Sequence, residues 1–416
     1  MAVKRLLCID GGGIRGVIAA EILLKMEEAL RKYNPKCQRL SDYFDFICGT
    51  STGSILATGL AVGMSANELL EIYKQKGKLI FTKEQHTWNQ LLQSLDSVTG
   101  WKRKLVSCGR CLPEILKKPL LEAMLNKYTG RELENQLKQT FADAQGNPLT
   151  LGSSELKTNL MVVTKNATTG KPCFFVNNTK RESCRTNTNL HTDAINPFLQ
   201  IETDPNIPLW DIVRASSAAP TYFPPHRFDV NGKPSEFIDG GVSSYNNASF
   251  QLFLTSILPE FGTGWEYGSD KIFLVSIGTG FNVPEIELDK ASTYNNLDWA
   301  KYAINDLMED ANLQQNLLLK LMSEQRKRGQ QKLENNPFQD KKLLSYCRFT
   351  TSFTKERFQQ LGLPDINPKD VEGMDCVDKI DELSLIGKAV AKEQFDLDLF
   401  EGFLDDIGAE KNLMLT

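Results

Sequence analysis

Ser51 stands between two glycines in Gly49-Thr50-Ser51-Thr52-Gly53. An aromatic and apolar run (Tyr43, Phe44, Phe46, Ile47) leads into it, and a run of small apolar residues (Ile55, Leu56, Ala57, Leu60, Ala61) follows. Strand, sharp turn and helix in that order make G-x-S-x-G read as a nucleophile elbow, whose hydroxyl projects beyond the sheet edge. The flanking glycines let strand and helix approach without a Cβ clash. The same five residues also suit a plain βα turn in which the serine caps a helix, so the decision between the two readings lies elsewhere in the chain.

An attacking serine needs a base. The chain has three histidines, His86, His191 and His226. In α/β hydrolases the order is Ser, acid, His. No histidine follows His226, no convincing acid–histidine pair precedes it, and its place after Pro224-Pro225 reads as a surface loop. Asp239 is the better candidate, because it ends a strand-like run and is followed by Gly240-Gly241. Asp-Gly is also a common turn dipeptide. An aspartate of ordinary pKa, about 3.9, is a poor base for an alcohol in water. A dry site raises its basicity, and proton transfer concerted with attack lowers the demand on it.

Asp10-Gly11-Gly12-Gly13-Ile14-Arg15-Gly16 is a second glycine-rich turn. Its Gly11-x-Gly13-x-x-Gly16 spacing matches the dinucleotide fingerprint, which requires an acidic residue at the end of the second strand. Here that strand ends in Gly49-Thr50-Ser51, and Asp45 lies at its start. No Gly-Lys-Ser/Thr follows, so Walker-type phosphate binding is not indicated. What remains is a cluster of backbone N–H groups at a helix start, which suits negative charge. Beside a serine nucleophile such donors form an oxyanion hole worth roughly 3–4 kcal/mol each.

These turns need a scaffold. Residues 3–9 read as a buried strand, 17–33 as a helix with one apolar face, and 43–48 as the next strand. A right-handed crossover then places both loops at the carboxyl edge of a parallel sheet, where such folds bind ligands. Ser65 and Glu68 suit a capping box for a following helix. Runs at 160–164 and 173–177 flank a polar turn and read as a hairpin. Residues 209–219 read as a helix, 271–277 as a buried strand, and 299–328 and 383–404 as largely helical. Residues 76–138 gather basic residues around Trp88 and Trp101. They suit either a lid or membrane-contact surface or an ordinary solvated insertion. Residues 1–285 are thus expected to form one α/β domain. Residues 286–416 form a mainly helical extension, packed on the core or regulatory.

The 416 residues carry a net charge of −4, which gives no case for a nucleic-acid partner. No apolar run approaches the ~20 residues that span a bilayer, and the start lacks a signal-peptide core. Nine scattered cysteines, an odd count, favour reduced thiols and a cytoplasmic setting. Cys108-x-x-Cys111 has no second pair or nearby histidine and reads as structural. No metal or other cofactor is called for.

Four blocks together resemble the patatin-like phospholipase family: Asp10–Gly16, Gly49–Gly53, Ala215-Ser216-Ser217-Ala218-Ala219-Pro220-Thr221-Tyr222-Phe223-Pro224, and Asp239-Gly240-Gly241. Ser276-Ile277-Gly278-Thr279-Gly280 is also like the family. The likeness runs from about residue 3 to 282. It implies a three-layer α/β/α fold around a mostly parallel sheet and calcium-independent hydrolysis of fatty-acyl esters in phospholipids or galactolipids. It implies Ser51 as nucleophile, Asp239 as base, the amides of Gly11, Gly12 and Gly13 as oxyanion hole, and Arg15, Gly16, Gly49, Gly53, Gly240 and Gly241 as supporting motif residues. Transient contact with a membrane surface would follow. Some bacterial members are effectors switched on by a signalling nucleotide, which makes a small-molecule activator one alternative. A nucleotide-binding protein or a non-catalytic lipid-binding module is the other.

Overall fold

The computed structural model describes residues 3–81, 127–177, 199–261, 263–282, 286, 288–326 and 341–405. His86, His191, Cys108, Cys111 and most of the basic insertion read over 76–138 lie outside them. In order, the principal elements are β1 (Lys4–Ile9), α1 (Gly16–Tyr33), β2 (Phe46–Thr50), α2 (Thr52–Ala61), α3 (Ala66–Ile80) and α4 (Arg131–Thr140). There follow β3 (Asn159–Asn166), β4 (Lys171–Val176), β5 (Gln200–Glu202), α5 (Leu209–Ser216), β6 (His226–Val230), β7 (Lys233–Asp239), α6 (Ser249–Ile257) and β8 (Ile272–Ile277). The last are α7 (Asn296–Met322), β9 (Ser323–Gln325), β10 (Leu344–Phe349) and α8 (Ile380–Gln394).

The strands form one mostly parallel sheet in the order β5-β4-β3-β2-β1-β8-β10-β9. Its antiparallel contacts are the β3–β4 hairpin, β7 on β3, and β6 on β7. Side chains alternate across a strand, and here both faces are buried. Leu7 and Ile9 of β1 enter one apolar cluster, whereas Leu6 and Cys8 enter the other. In β8, Phe273, Val275 and Ile277 join the first, and Ile272 and Leu274 the second. A strand wetted on neither side reads as a continuous apolar run, and two covered faces make the three layers.

The C-terminal region adds strands as well as helices. β10 pairs in parallel with β8, so it is an interior strand of the sheet. Helix α8 crosses α1 closely enough that a Cβ on Gly387 would lie 3.0 Å from the carbonyl oxygen of Ile18. The helix expected over 383–404 stops at Gln394. Phe395 turns extended and buries its ring against Phe349 and Phe400, while the Asp396 side chain caps the short turn that follows. His226 opens β6 and does not sit in a loop, because its ring is held by Asp211 and packs between Trp210 and Phe228. The described cysteines are all free thiols, and no described helix is long and apolar enough to cross a membrane.

Phe400 is fully buried against Tyr43 of the N-terminal half and Phe273 of β8. Phe400→Ala is expected to cost about 3–5 kcal/mol, read by urea unfolding as an earlier but still single transition. A separate second transition would show that the C-terminal region folds independently of the sheet.

Candidate active site

The turn after β2 is held in a conformation that few residues adopt. Ser51 has φ +54° and ψ −125°, a backbone state that costs roughly 1–3 kcal/mol. Its neighbours leave no slack. A Cβ on Gly49 would stand 2.1 Å from the carbonyl oxygen of Gly53, and one on Gly53 would stand 2.2 Å from that of Ile9. Ser51 N–H donates to Ser216 Oγ at 2.8 Å, and Ser216 Oγ donates to the Val163 carbonyl at 2.6 Å. Ser54 Oγ holds the Ser51 carbonyl at 2.6 Å. The side chain of Ser51 makes no capping bond to α2. Its Oγ instead donates to Asp239 Oδ2 at 2.5 Å. Geometry therefore separates the elbow from the helix cap, a choice the five residues alone left open.

Asp239 reaches this position because β7 pairs antiparallel with β3, placing Asp239 opposite Thr164. Gly240 follows directly, and a Cβ there would strike the Val163 carbonyl at 2.5 Å. Gly241 N–H donates to Asp239 Oδ1 at 2.7 Å. The carboxyl is 4% exposed. Burial pushes its pKa up to about 6, against the smaller opposing pull of the Ser51 and Gly241 hydrogen bonds.

The glycine-rich loop backs onto the serine, since a Cβ on Gly11 would lie 3.0 Å from Ser51 Cβ. Thr279 Oγ1 donates to the Gly11 carbonyl at 2.6 Å, and Gly11 N–H makes a long bond of 3.4 Å to the Asn246 carbonyl. The amides of Gly12 and Gly13 have no hydrogen-bond acceptor among the described residues, and Gly13 takes φ +61°. Ile14 N–H is occupied by the Met374 carbonyl at 2.8 Å. The loop amides left without a partner among the described residues are thus those of Gly12 and Gly13. Arg15 points its guanidinium back to the Gly12 and Glu372 carbonyls. Gly16 packs on Thr52, whose Oγ1 a Cβ would meet at 2.6 Å.

Beneath the loop lies a buried ion pair. Arg348 of β10 donates from Nη1 and Nη2 to the two oxygens of Asp10, at 3.3 and 2.5 Å, and from Nη1 to Ser276 Oγ at 2.5 Å. Burial is the largest single influence on Arg348 and opposes its charge, but Asp10, Tyr346 and Cys8 together outweigh it and push its pKa up. On the other side of the loop a narrow apolar slot opens on Ser51, lined by Ile14, Ile55, Ile80, Phe81, Tyr222 and Phe223 among others. Ser216 and Thr279 belong to blocks that stood out in the sequence, without the supporting roles they take here. Arg348 and Met374 lie in a region with no motif to single them out.

Two outcomes are expected. Asp239 has a raised pKa, so its protonated form is favoured by the fold, and stability falls as pH rises from about 4 through about 6. Asp239→Asn removes that penalty and should stabilise the protein at pH 7 by roughly 1–3 kcal/mol. The gain should vanish below pH ~4, when compared by denaturant titration at the two pH values. Arg348→Met leaves Asp10 buried without its partner and should cost about 3–5 kcal/mol. Asp10→Asn added to it should recover part of that loss in the same assay.

Similarity to known proteins places the chain in a family. The sequence model of the Patatin-like phospholipase family matches residues 7–250. The chain is 30% identical over 276 residues to a cGAMP-activated phospholipase of Escherichia coli, which covers 66% of this chain and 62% of that protein. It is 27% identical over 313 residues to Patatin-like protein 1 of Arabidopsis thaliana, covering 71% of this chain and 63% of the relative. The matches thus span under two thirds of these relatives' length. Among solved structures, VipD from Legionella pneumophila aligns over 95% of this chain and 68% of its own, at 14% identity and a TM-score of 0.34. With the glycine loop, the serine elbow and the strand-end aspartate assembled at one sheet edge, the chain belongs to the patatin-like phospholipase family.

Proposed function

We propose that the chain is a serine-dependent hydrolase of fatty-acyl esters in membrane lipids. The observation that carries this reading is the 2.5 Å hydrogen bond from Ser51 Oγ to a buried Asp239. Ser51 Oγ attacks the acyl carbonyl while Asp239 takes its proton. The carbonyl oxygen becomes an oxyanion, which the Gly12 and Gly13 amides receive. Collapse expels the alcohol, to which Asp239 returns the proton, and leaves acyl-Ser51. Water, deprotonated by Asp239, then releases the fatty acid and restores Ser51. The apolar slot suits the acyl chain. No cation or imidazole enters this scheme. The raised pKa of Asp239 brings a carboxylate nearer to the basicity the step requires.

A dinucleotide on the glycine-rich loop fits less well. The loop is packed against Ser51 on one side, and Met374 occupies the Ile14 amide at the helix start. Activation by a nucleotide is a second reading favoured by one observation: relatives at 30% and 29% identity are cGAMP-activated phospholipases. In that case the enzyme works in the cytoplasm, at the surface of the membrane, once its trigger is present.

The test uses Ser51→Ala and Asp239→Asn separately, on a short-chain ester and on phospholipid vesicles, with and without cGAMP. Each substitution should reduce turnover by about 10⁴-fold or more without unfolding the protein. Wild-type kcat/KM on the short ester should fall as pH drops through about 6. Full activity in either folded variant would rule out the dyad. Substituting Ile55→Trp in the slot should lower activity on long acyl chains more than on short ones, and an equal loss on both would remove the slot from acyl recognition.

A further inference from the structure

A second cavity, of about 500 Å³, lies between the glycine-rich loop, α7 and β10. Its volume falls in the range of ordinary small-molecule sites. Four cationic side chains line it, Arg15, Lys320, Arg326 and Arg348, against the carboxylates of Asp10 and Glu309. The Asp10 charge is already met by Arg348.

Arg15 is the informative member. It is 8% exposed, yet it forms no ion pair among the described residues. Its guanidinium rests on two carbonyl oxygens and lies 5.6 Å from the ring centre of Phe353. Burial lowers its pKa, and Glu309 acts on it only through space. Burial also pushes Glu309 up, toward its neutral form. A buried cation without a counter-ion is expensive. Arg348 is incompletely paired as well, because its Nε is buried and has no acceptor among the described residues. Both arginines line the one cavity, and a guanidinium fork matches phosphate oxygens in shape as well as charge. Leu313, Leu317 and Met374 give the rest of the lining an apolar component, so the ligand carries more than its anion.

We infer that the cavity between the glycine-rich loop and α7 binds a phosphate-bearing ligand through Arg15. The phosphate belongs either to a lipid headgroup or to a free phosphorylated molecule such as a nucleotide. The consequence for catalysis rests on the proposed acyl-hydrolase reading of Ser51. Arg15 Nε holds the Gly12 carbonyl at 3.3 Å, and Met374 lines both this cavity and the apolar slot. Occupancy therefore bears on the oxyanion donors and on the slot together.

The experiment has two arms on the whole chain. In the first, inorganic pyrophosphate and cGAMP are titrated calorimetrically into the wild type, Arg15→Met and Lys320→Glu. In the second, initial rates are compared on phosphatidylglycerol and on diacylglycerol of the same acyl chains, dispersed in the same carrier. If the ligand is a free phosphorylated molecule, one probe binds the wild type with a dissociation constant below about 1 mM, and each folded variant weakens it about tenfold or more. If the ligand is a headgroup, KM is at least about tenfold lower for the phospholipid, and Lys320→Glu narrows the gap. The inference is overturned if the wild type binds neither probe and shows no headgroup preference. Binding or preference left unchanged by Lys320→Glu overturns it equally. That substitution lies on a partly exposed helix surface, and thermal melting checks its fold, so the test stands even if Arg15→Met does not fold. Pyrophosphate binding without any fluorophosphonate labelling of Ser51 would keep the cavity and refute the hydrolase. Turnover of p-nitrophenyl butyrate with neither binding nor preference would do the reverse.

Discussion

The structure depends on how closely two βα turns are pressed together. The end of β1 and the start of α2 touch backbone to backbone, because Gly53 leaves no Cβ to separate them from the Ile9 carbonyl. The glycine loop then lies against Ser51 Cβ. This contact fixes the distance between Ser51 and the Gly12 and Gly13 amides, and it holds Ser51 in a backbone state a free turn would leave. The surrounding sheet overdetermines that state: parallel strands buried on both faces cannot slide or splay without exposing one apolar cluster or the other. A strained residue persists where its neighbours allow nothing else.

Asp239 shows the other side of the same economy. A carboxyl sealed in the interior raises the free energy of its own charged form, and the fold carries that penalty at neutral pH. The two hydrogen bonds from Ser51 and Gly241 offset only part of it. A site built for stability would place an amide there. Here a carboxyl stands instead, made more basic by burial and bonded directly to Ser51 Oγ.

Much of this was legible in the sequence, because turn chemistry is local. Asp10–Gly16, Gly49–Gly53 and Asp239–Gly241 each carry their backbone requirement in their own residues. The apolar runs of β1 and β8 read as buried strands, and that of β2 as the strand before the serine turn. What stayed hidden depends on distant partners. Nothing near Arg348 announces that it meets Asp10, and nothing near Met374 announces the Ile14 amide. β10 resembles any apolar run, and its interior place follows only from pairing with β8. The strand position of His226 is hidden for a similar reason. The prolines before it suggest a loop, and only Asp211 and the rings of Trp210 and Phe228 reveal a strand.

The ion pair between Asp10 and Arg348 joins residues 338 positions apart. Synthesis runs at roughly 5–20 residues per second, so the glycine loop, the serine and the aspartate all leave the ribosome well before their last support. Through that interval the sheet lacks an interior strand and Asp10 lacks its cation. Contacts so far apart in sequence close late and slowly. A site with this wiring is completed late, and a nascent or truncated chain carries Ser51 and Asp239 without the frame that holds them.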